Sequence, residues 1–188
     1  MEAVVNEAAH PQLFQPSLFG EDKPLDETEG YRGPVASKVV GITYRQLDYW
    51  DRTGLVSPSI RGAKGSGTQR LYSFRDILVL KVVKRLLDTG VSLQQIRVAI
   101  NQLSKYGVQD LSGITLMSDG ASVYECTSND EVIDLVNGGQ GVFGIALGRV
   151  WQEIEFSLSE LPTEKAEQEM AANVKDELAE RRARRNIS

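Results

Sequence analysis

Between Thr43 and Tyr72 the chain interleaves five cationic side chains, Arg45, Arg52, Arg61, Lys64 and Arg70, with Tyr44, Tyr49 and Tyr72. Guanidinium and ammonium groups neutralise phosphate, and a guanidinium also presents a planar fork of donors that matches O6 and N7 of guanine. Phenol hydroxyls reach phosphate and sugar, which orients a protein without reading sequence. The chemistry that suits this set is recognition of a duplex nucleic acid. Other chemistries have less to work with. Cys126 is the single cysteine and His10 the single histidine, so neither a disulfide framework nor a structural zinc ligand set can be assembled. No carboxylate pair or Ser–His set suggests catalysis, and Cys126, on an expected strand, reads as a small packed residue. No enzyme activity, cofactor or metal is expected.

Charge is distributed to match. Residues 31–107 hold thirteen Lys/Arg against four Asp/Glu, a net of +9, while residues 1–30 carry −6 and residues 108–188 carry −8. A basic middle between acidic ends is the footprint of a polyanion-binding domain, and the overall charge of −5 conceals it. No apolar run approaches the ~18 residues of a membrane span, and the N-terminus lacks a basic-then-apolar leader. A cytoplasmic, nucleoid-associated location is expected.

These side chains need elements to hold them. Three Ser/Thr residues are followed three positions later by Gln or Asp: Thr43/Gln46, Ser73/Asp76 and Ser92/Gln95. Each is the spelling of a helix start, in which the hydroxyl accepts a first-turn amide. An earlier helix spans 34–40, with Pro34 in its first turn and Gly41 ending it. The second helix runs from the Thr43 cap to Gly54, with Leu47 and Leu55 toward the core and Trp50 partly buried. Tyr44, Arg45 and Asp48 then occupy its N-terminal, groove-facing end. The third helix, 73–88, carries Phe74, Ile77, Leu78, Val82, Leu86 and Leu87 on helical spacings, and the fourth, 92–105, carries Leu93, Ile96, Ile100 and Leu103. The glycine-rich stretch 57–68 reads as a mobile hairpin tip, a wing flanked by Arg61 and Lys64 with Arg70 and Tyr72 on its returning strand.

Beyond Gly107, strands are expected at 114–117 and 122–126 around an Asp119-Gly120 turn, a helix at 128–136, a strand at 142–147 and a helix at 150–161. Gly138-Gly-Gln-Gly141 lacks the Gly-Lys-Ser/Thr ending of a phosphate loop and reads as a turn. The fold class is therefore α+β. A disordered acidic tail (1–30) precedes a winged helix-turn-helix domain (31–107). A small mixed α/β module (108–161) follows, for dimerisation or for effector or partner binding, and then a charged tail or frayed helix (162–188). DNA contacts are assigned to Thr43, Tyr44, Arg45, Asp48, Tyr49, Arg52, Arg61, Lys64, Arg70 and Tyr72. Within the N-terminal tail, Gln15-Pro-Ser-Leu-Phe19 resembles the peptide by which bacterial proteins bind a sliding clamp, through Gln15, Leu18 and Phe19. It supports an alternative, an architectural or replication-linked DNA-binding protein.

Three ordered blocks carry a family resemblance. They are Thr43-Tyr-Arg-Gln-Leu-Asp-Tyr-Trp-Asp-Arg-Thr-Gly-Leu-Val, Gln69-Arg-Leu-Tyr-Ser-Phe-Arg-Asp and Leu86-Leu-Asp-Thr-Gly-Val-Ser-Leu-Gln-Gln-Ile. Over residues 31–103 the chain resembles the winged-helix domain of the MerR family of bacterial transcription regulators, and the Leu-Asp-Tyr-Trp wording resembles an actinobacterial branch of it. The resemblance implies sequence-specific binding of promoter DNA as a homodimer, with DNA contacts at Arg45, Tyr49, Arg70 and Tyr72. In many relatives the dimer untwists an overlong promoter spacer so that RNA polymerase can engage. Asp48 departs from the pattern, standing where the family usually has arginine. It can accept from cytosine N4 or orient Arg45 or Arg52. The family's sensor cysteines and long dimerising helix are also missing, which argues against metal or redox sensing.

Overall fold

Hydroxyl caps set the helix starts. The Gln46 amide donates to the Thr43 hydroxyl at 3.2 Å while the Thr43 amide donates to the Gln46 side chain at 2.9 Å, and Ser73 and Asp76 make the same reciprocal pair. Ser92 accepts from the Gln95 amide only, at 3.4 Å. The computed structural model describes residues 28–62, 69–139 and 143–165. In chain order its elements are β1 (Glu29–Arg32), α1 (Gly33–Val40), α2 (Tyr44–Arg52), β2 (Leu71–Tyr72), α3 (Phe74–Asp88) and α4 (Leu93–Leu103). A 3-10 turn (Asp110–Gly113) leads to β3 (Thr115–Ser118), β4 (Val123–Cys126), α5 (Asn129–Asn137), β5 (Phe143–Ala146), α6 (Leu147–Leu158) and β6 (Glu164–Lys165). The α+β class agrees with the expectation from sequence, as does the order of elements from α1 to α6 apart from the 3-10 turn; β1 and β6 were not expected. Gly41 ends α1 at φ 80°, a left-handed conformation that glycine takes without steric cost.

Two small antiparallel sheets flank the helices. One has strand order β2-β1-β6 and holds the stem of the wing: Tyr31 pairs with Tyr72, Arg32 with Leu71, and Arg61 bridges Leu71 from the other side. The second has order β4-β3-β5, with Leu116 opposite both Glu125 and Ile145. Leu116 and Ile145 face the main core, and α5 rests on β3 and β4 with no buried residue of its own.

The first sheet corrects both tail boundaries. Glu29 and Gly30, assigned to the disordered tail, are part of β1, and Glu164 and Lys165, assigned to the C-terminal tail, form β6 against it. Arg32 pairs with Glu164, and the Thr163 hydroxyl donates to the Glu29 carboxylate at 3.1 Å. An extended chain end acquires structure here only because a distant strand offers it an edge, which local composition cannot reveal. The clamp-like peptide at Gln15, Leu18 and Phe19 lies outside the described residues, as do Lys64 and most of the wing tip.

The boundary at residue 107 does not separate two cores. One continuous apolar cluster runs from Ala36 and Leu47 through Ile77, Leu80 and Leu86 to Leu116, Leu147, Val150, Ile154 and Leu158. Helix α6 packs on α3, with the Phe74 and Trp151 rings 4.6 Å apart and tilted by 55°, and Arg85 pairs with Glu153. A Cβ on Gly148 would lie 2.6 Å from the Ser112 carbonyl oxygen, so glycine lets α6 lie directly on the 3-10 turn. Helix α6 also starts three residues earlier than the sequence suggests, because the Leu147 amide donates to the Ile114 carbonyl at 2.9 Å. On α4 the expected stripe is corrected at one end: Leu93 is 41% exposed, and Ala99 is buried beside Ile96 and Leu103.

A shared core implies shared cooperativity. Ile154, on α6, is 1% exposed, and Ile154→Ala is expected to cost about 2–5 kcal/mol. The loss should lower amide-exchange protection in α1 and α3 as well as in α6. Protection unchanged in α1 and α3 would mean that the two halves fold independently.

Candidate nucleic-acid interface

Helix α2 has two chemically distinct sides. Leu47 and Trp50 are buried, at 0% and 4% exposure, and Leu55 follows them into the core just past the helix. Tyr44, Arg45, Asp48, Tyr49 and Arg52 are spaced so that they share the opposite side. Tyr44 and Tyr49 are each half exposed, which is unusual for aromatic rings unless something else covers them. Tyr44 keeps its place against Gly33, where a Cβ would lie 2.8 Å from the ring. Arg45 is exposed in the first turn, and Thr43, also exposed, spends its hydroxyl on the cap. The outer side of α2 therefore presents Arg45 and two phenols to solvent.

Asp48 is the departure from the family pattern, and its partners are now visible. Its carboxylate lies 2.8 Å from an Arg70 terminal nitrogen and 2.9 Å from Arg52 Nε, so it orients Arg52 and Arg70 rather than Arg45. The Arg70 hydrogen bond, aided by the charges of both guanidiniums and only partly opposed by burial, holds the Asp48 carboxyl below its usual range. Arg70 Nε sits 2.7 Å from Asp51 Oδ2, a charge contact whose N–H is not aligned for a hydrogen bond. The Arg70 side chain is 13% exposed, against 67% for Arg52.

Two wing assignments change as a result. Tyr72, expected to touch DNA, is completely buried in the core. Burial, and next the nearby Asp51 charge, push its phenol well above the ordinary value. Tyr72 faces inward because β2 pairs with β1 in a register that turns it against the helices. Arg70, also expected to touch DNA, immediately precedes β2, and its guanidinium is directed at two carboxylates of α2. Arg61 is half-buried: its backbone pairs with Leu71 and its Nε donates to the Gln69 carbonyl at 3.0 Å.

Sequence reasoning missed one wing determinant, Asp76. Besides its role in the Ser73 cap, its carboxylate oxygen accepts from the Ser59 amide at 2.7 Å and the Ser59 hydroxyl at 2.8 Å. Asp76 thus ties the chain leading into the wing to the start of α3. Outside this face, Cys126 is buried and its thiol is raised, by burial first and then by Glu131 and Glu125, as for a packed residue. Among the described residues, no group of three or more His, Cys, Asp and Glu is arranged to hold a metal ion. No helix among them is long and apolar enough to cross a membrane.

Comparison with known proteins places the chain in a family. Residues 31–103 match the model of the MerR HTH family of regulatory proteins. An uncharacterized HTH-type transcriptional regulator of Mycobacterium bovis is 60% identical over 180 residues, covering 95% of this chain and 80% of that protein, and a counterpart in Mycobacterium tuberculosis gives the same values. The HTH-type transcriptional regulator HmrR of Sinorhizobium medicae is 36% identical over 62 residues, 33% of this chain and 40% of that protein. The first two similarities run through both halves of the fold, whereas the third extends over one third of the chain. This chain belongs to the MerR HTH family and is a DNA-binding transcriptional regulator.

Proposed function

We propose that the chain acts in the cytoplasm, on the nucleoid, as a homodimer that reads promoter DNA with the outer face of α2 in the major groove. The observation that carries this reading is the arrangement of Tyr44, Arg45, Tyr49 and Arg52 on one side of a helix whose other side is anchored by Leu47 and Trp50. A helix reads bases from its N-terminal turn, and Arg45 is the fork-shaped donor at that end. Tyr44, Tyr49 and Arg52 are suited to phosphate and sugar, and Thr43 supports them by fixing the start of the helix. Arg61 and Lys64 bring the wing to the adjacent backbone. RNA polymerase is the further partner by which such binding would alter transcription.

Residues 108–161 are proposed to supply contacts between protomers or with a partner or effector. Ile133 and Val136 on α5, and Phe156 on α6, are more than half exposed and lie on elements other than the reading helix.

Arg45→Ala is expected to weaken binding to the preferred duplex by about tenfold or more and to relax selectivity at one position of each half-site. Lys64→Ala should weaken all duplexes alike and reduce the log–log salt slope by about 0.9. Competition assays against single-base variants of the preferred site separate the two. Binding by the Arg45 variant equal to the parent's would move the reader elsewhere. For the dimer, genome-wide occupancy should yield an inverted repeat with half-sites about one helical turn, or a multiple of it, apart. A single asymmetric half-site, together with a monomeric mass across concentrations in sedimentation, would remove it.

A further inference from the structure

Arg70 immediately precedes β2, the strand that returns from the wing, and the next residue, Leu71, pairs with both Arg32 of β1 and Arg61. Its guanidinium crosses to α2 and lies between Asp48 (2.8 Å) and Asp51 (2.7 Å), residues one turn of helix apart. Side-chain exposure is 13% for Arg70, 16% for Asp51 and 30% for Asp48, so the group is shielded on the inside and open along one edge. Arg52 closes that edge at 2.9 Å from Asp48. The charges of Asp48, Asp51, Arg52 and Arg70 sum to zero. The network therefore offers a nearby polyanion little net attraction. Moving Arg70 out to a phosphate would leave two carboxylates facing DNA without their partner, a costly arrangement for partly buried charge.

We propose that Arg70 is a positioning residue for DNA reading: bridging Asp48 and Asp51, it locks the wing's return strand to α2 so that helix and wing meet the duplex as one surface. This rests on the reading of α2 as the DNA reader. A rigid planar guanidinium can hydrogen-bond Asp48 through a terminal nitrogen while its Nε rests against Asp51, a fixed arrangement that a compact, freely rotating ammonium does not impose, and an isolated cation on the wing would not need that property. The same bridge accounts for Asp48 at a position where an acid would otherwise repel DNA. Asp48 sets the angle of the wing through Arg70 and holds Arg52 along the helix, while Arg45, one turn earlier, keeps its donors for bases.

The test uses the full chain and duplexes that the parent protein selects from a randomised pool. Dissociation constants for a selected duplex and for a random-sequence duplex are measured across a salt series, with thermal midpoints alongside. Arg70→Lys keeps the charge and loses the fork. It is expected to weaken the selected duplex by about tenfold, leaving the random duplex near the parent's value and the salt slope unchanged. Asp48→Asn keeps Arg70 and removes a negative charge from the face. It is expected to lower the preference for the selected duplex in the same way, although charge alone would tighten binding. The role is overturned if Arg70→Lys binds like the parent, or if Asp48→Asn tightens both duplexes and steepens the salt slope by about 0.9, the signature of a freed arginine gaining a phosphate. Parallel loss on both duplexes with a fall in the thermal midpoint overturns it too, since that marks stability alone. A parent that selects no motif at all would instead strike the reading of α2 on which the proposal rests.

Discussion

Helix α3 is apolar around most of its circumference: Ile77, Leu78, Leu80, Val82, Val83 and Leu86 are all at most 1% exposed. A helix of that kind cannot lie on a surface and must be enclosed. The enclosure is the fold. Helices α1, α4 and α6 and strand β2 all contact α3, and the polar groups it carries are used to hold them there. Lys81 donates to the Val39 carbonyl at the end of α1, at 3.0 Å. Arg75 donates to the Leu103 and Tyr106 carbonyls at the end of α4, at 3.2 and 3.0 Å. Each cation hydrogen-bonds carbonyls at or just past a helix C-terminus, where its charge suits that end of the helix dipole. Helix α2, the proposed reader, is one step removed: it packs on α1, so its position depends on how firmly α3 holds α1.

That arrangement tempers the charge argument from sequence. The net of +9 over residues 31–107 points to a polyanion partner, yet many of those cations have structural work. Arg32 pairs with Glu164, Arg85 with Glu153 and Lys84 with Asp88, and Arg97 donates to the Thr53 carbonyl at 3.1 Å. Arg70 is held by two aspartates, and Arg75 and Lys81 cap helices. A count of basic residues cannot tell a helix-capping cation from one that faces solvent, because both occur at helical spacings on the same segments. What separates them is the partner within reach, and here those partners come from residues up to about 130 positions away, as with Arg32 and Glu164.

Local signals carried well from sequence to structure where the physics is local. The caps at Thr43 and Ser73, the left-handed Gly41, the buried Leu47 and Trp50 beside an exposed Arg45, and the Asp119-Gly120 turn all depend on a few consecutive residues. The missed features are non-local. Glu29–Arg32 and Glu164–Lys165 have no strand pattern of their own; β1 is formed by pairing with both β2 and β6, and β6 by pairing with β1. Tyr72 looks like a surface phenol beside Arg70, and only the register with Tyr31 turns it inward. Leu93 fits the α4 stripe by spacing, but it sits at the first helical position, where there is no neighbouring layer to cover it. The composition change at Gly107 suggested a second core, because the texture shifts from helical to strand-like there. Helix α6 then returns to α3 and joins the first core, a closure that periodicity within α6 cannot show.

Asp48 brings the two kinds of reasoning together. An acid on the reading face is unfavourable toward phosphate, and a partly buried ion pair rarely adds much stability over apolar packing. Neither consideration accounts for its presence. Geometry does, because a bridged pair accepts only a narrow range of angles between its two elements, whereas apolar contacts tolerate sliding. DNA reading by a helix and a wing demands a fixed angle more than it demands extra stability. A charge that is costly for affinity and near neutral for stability is then well placed where it restricts motion between the two parts that must meet one duplex together.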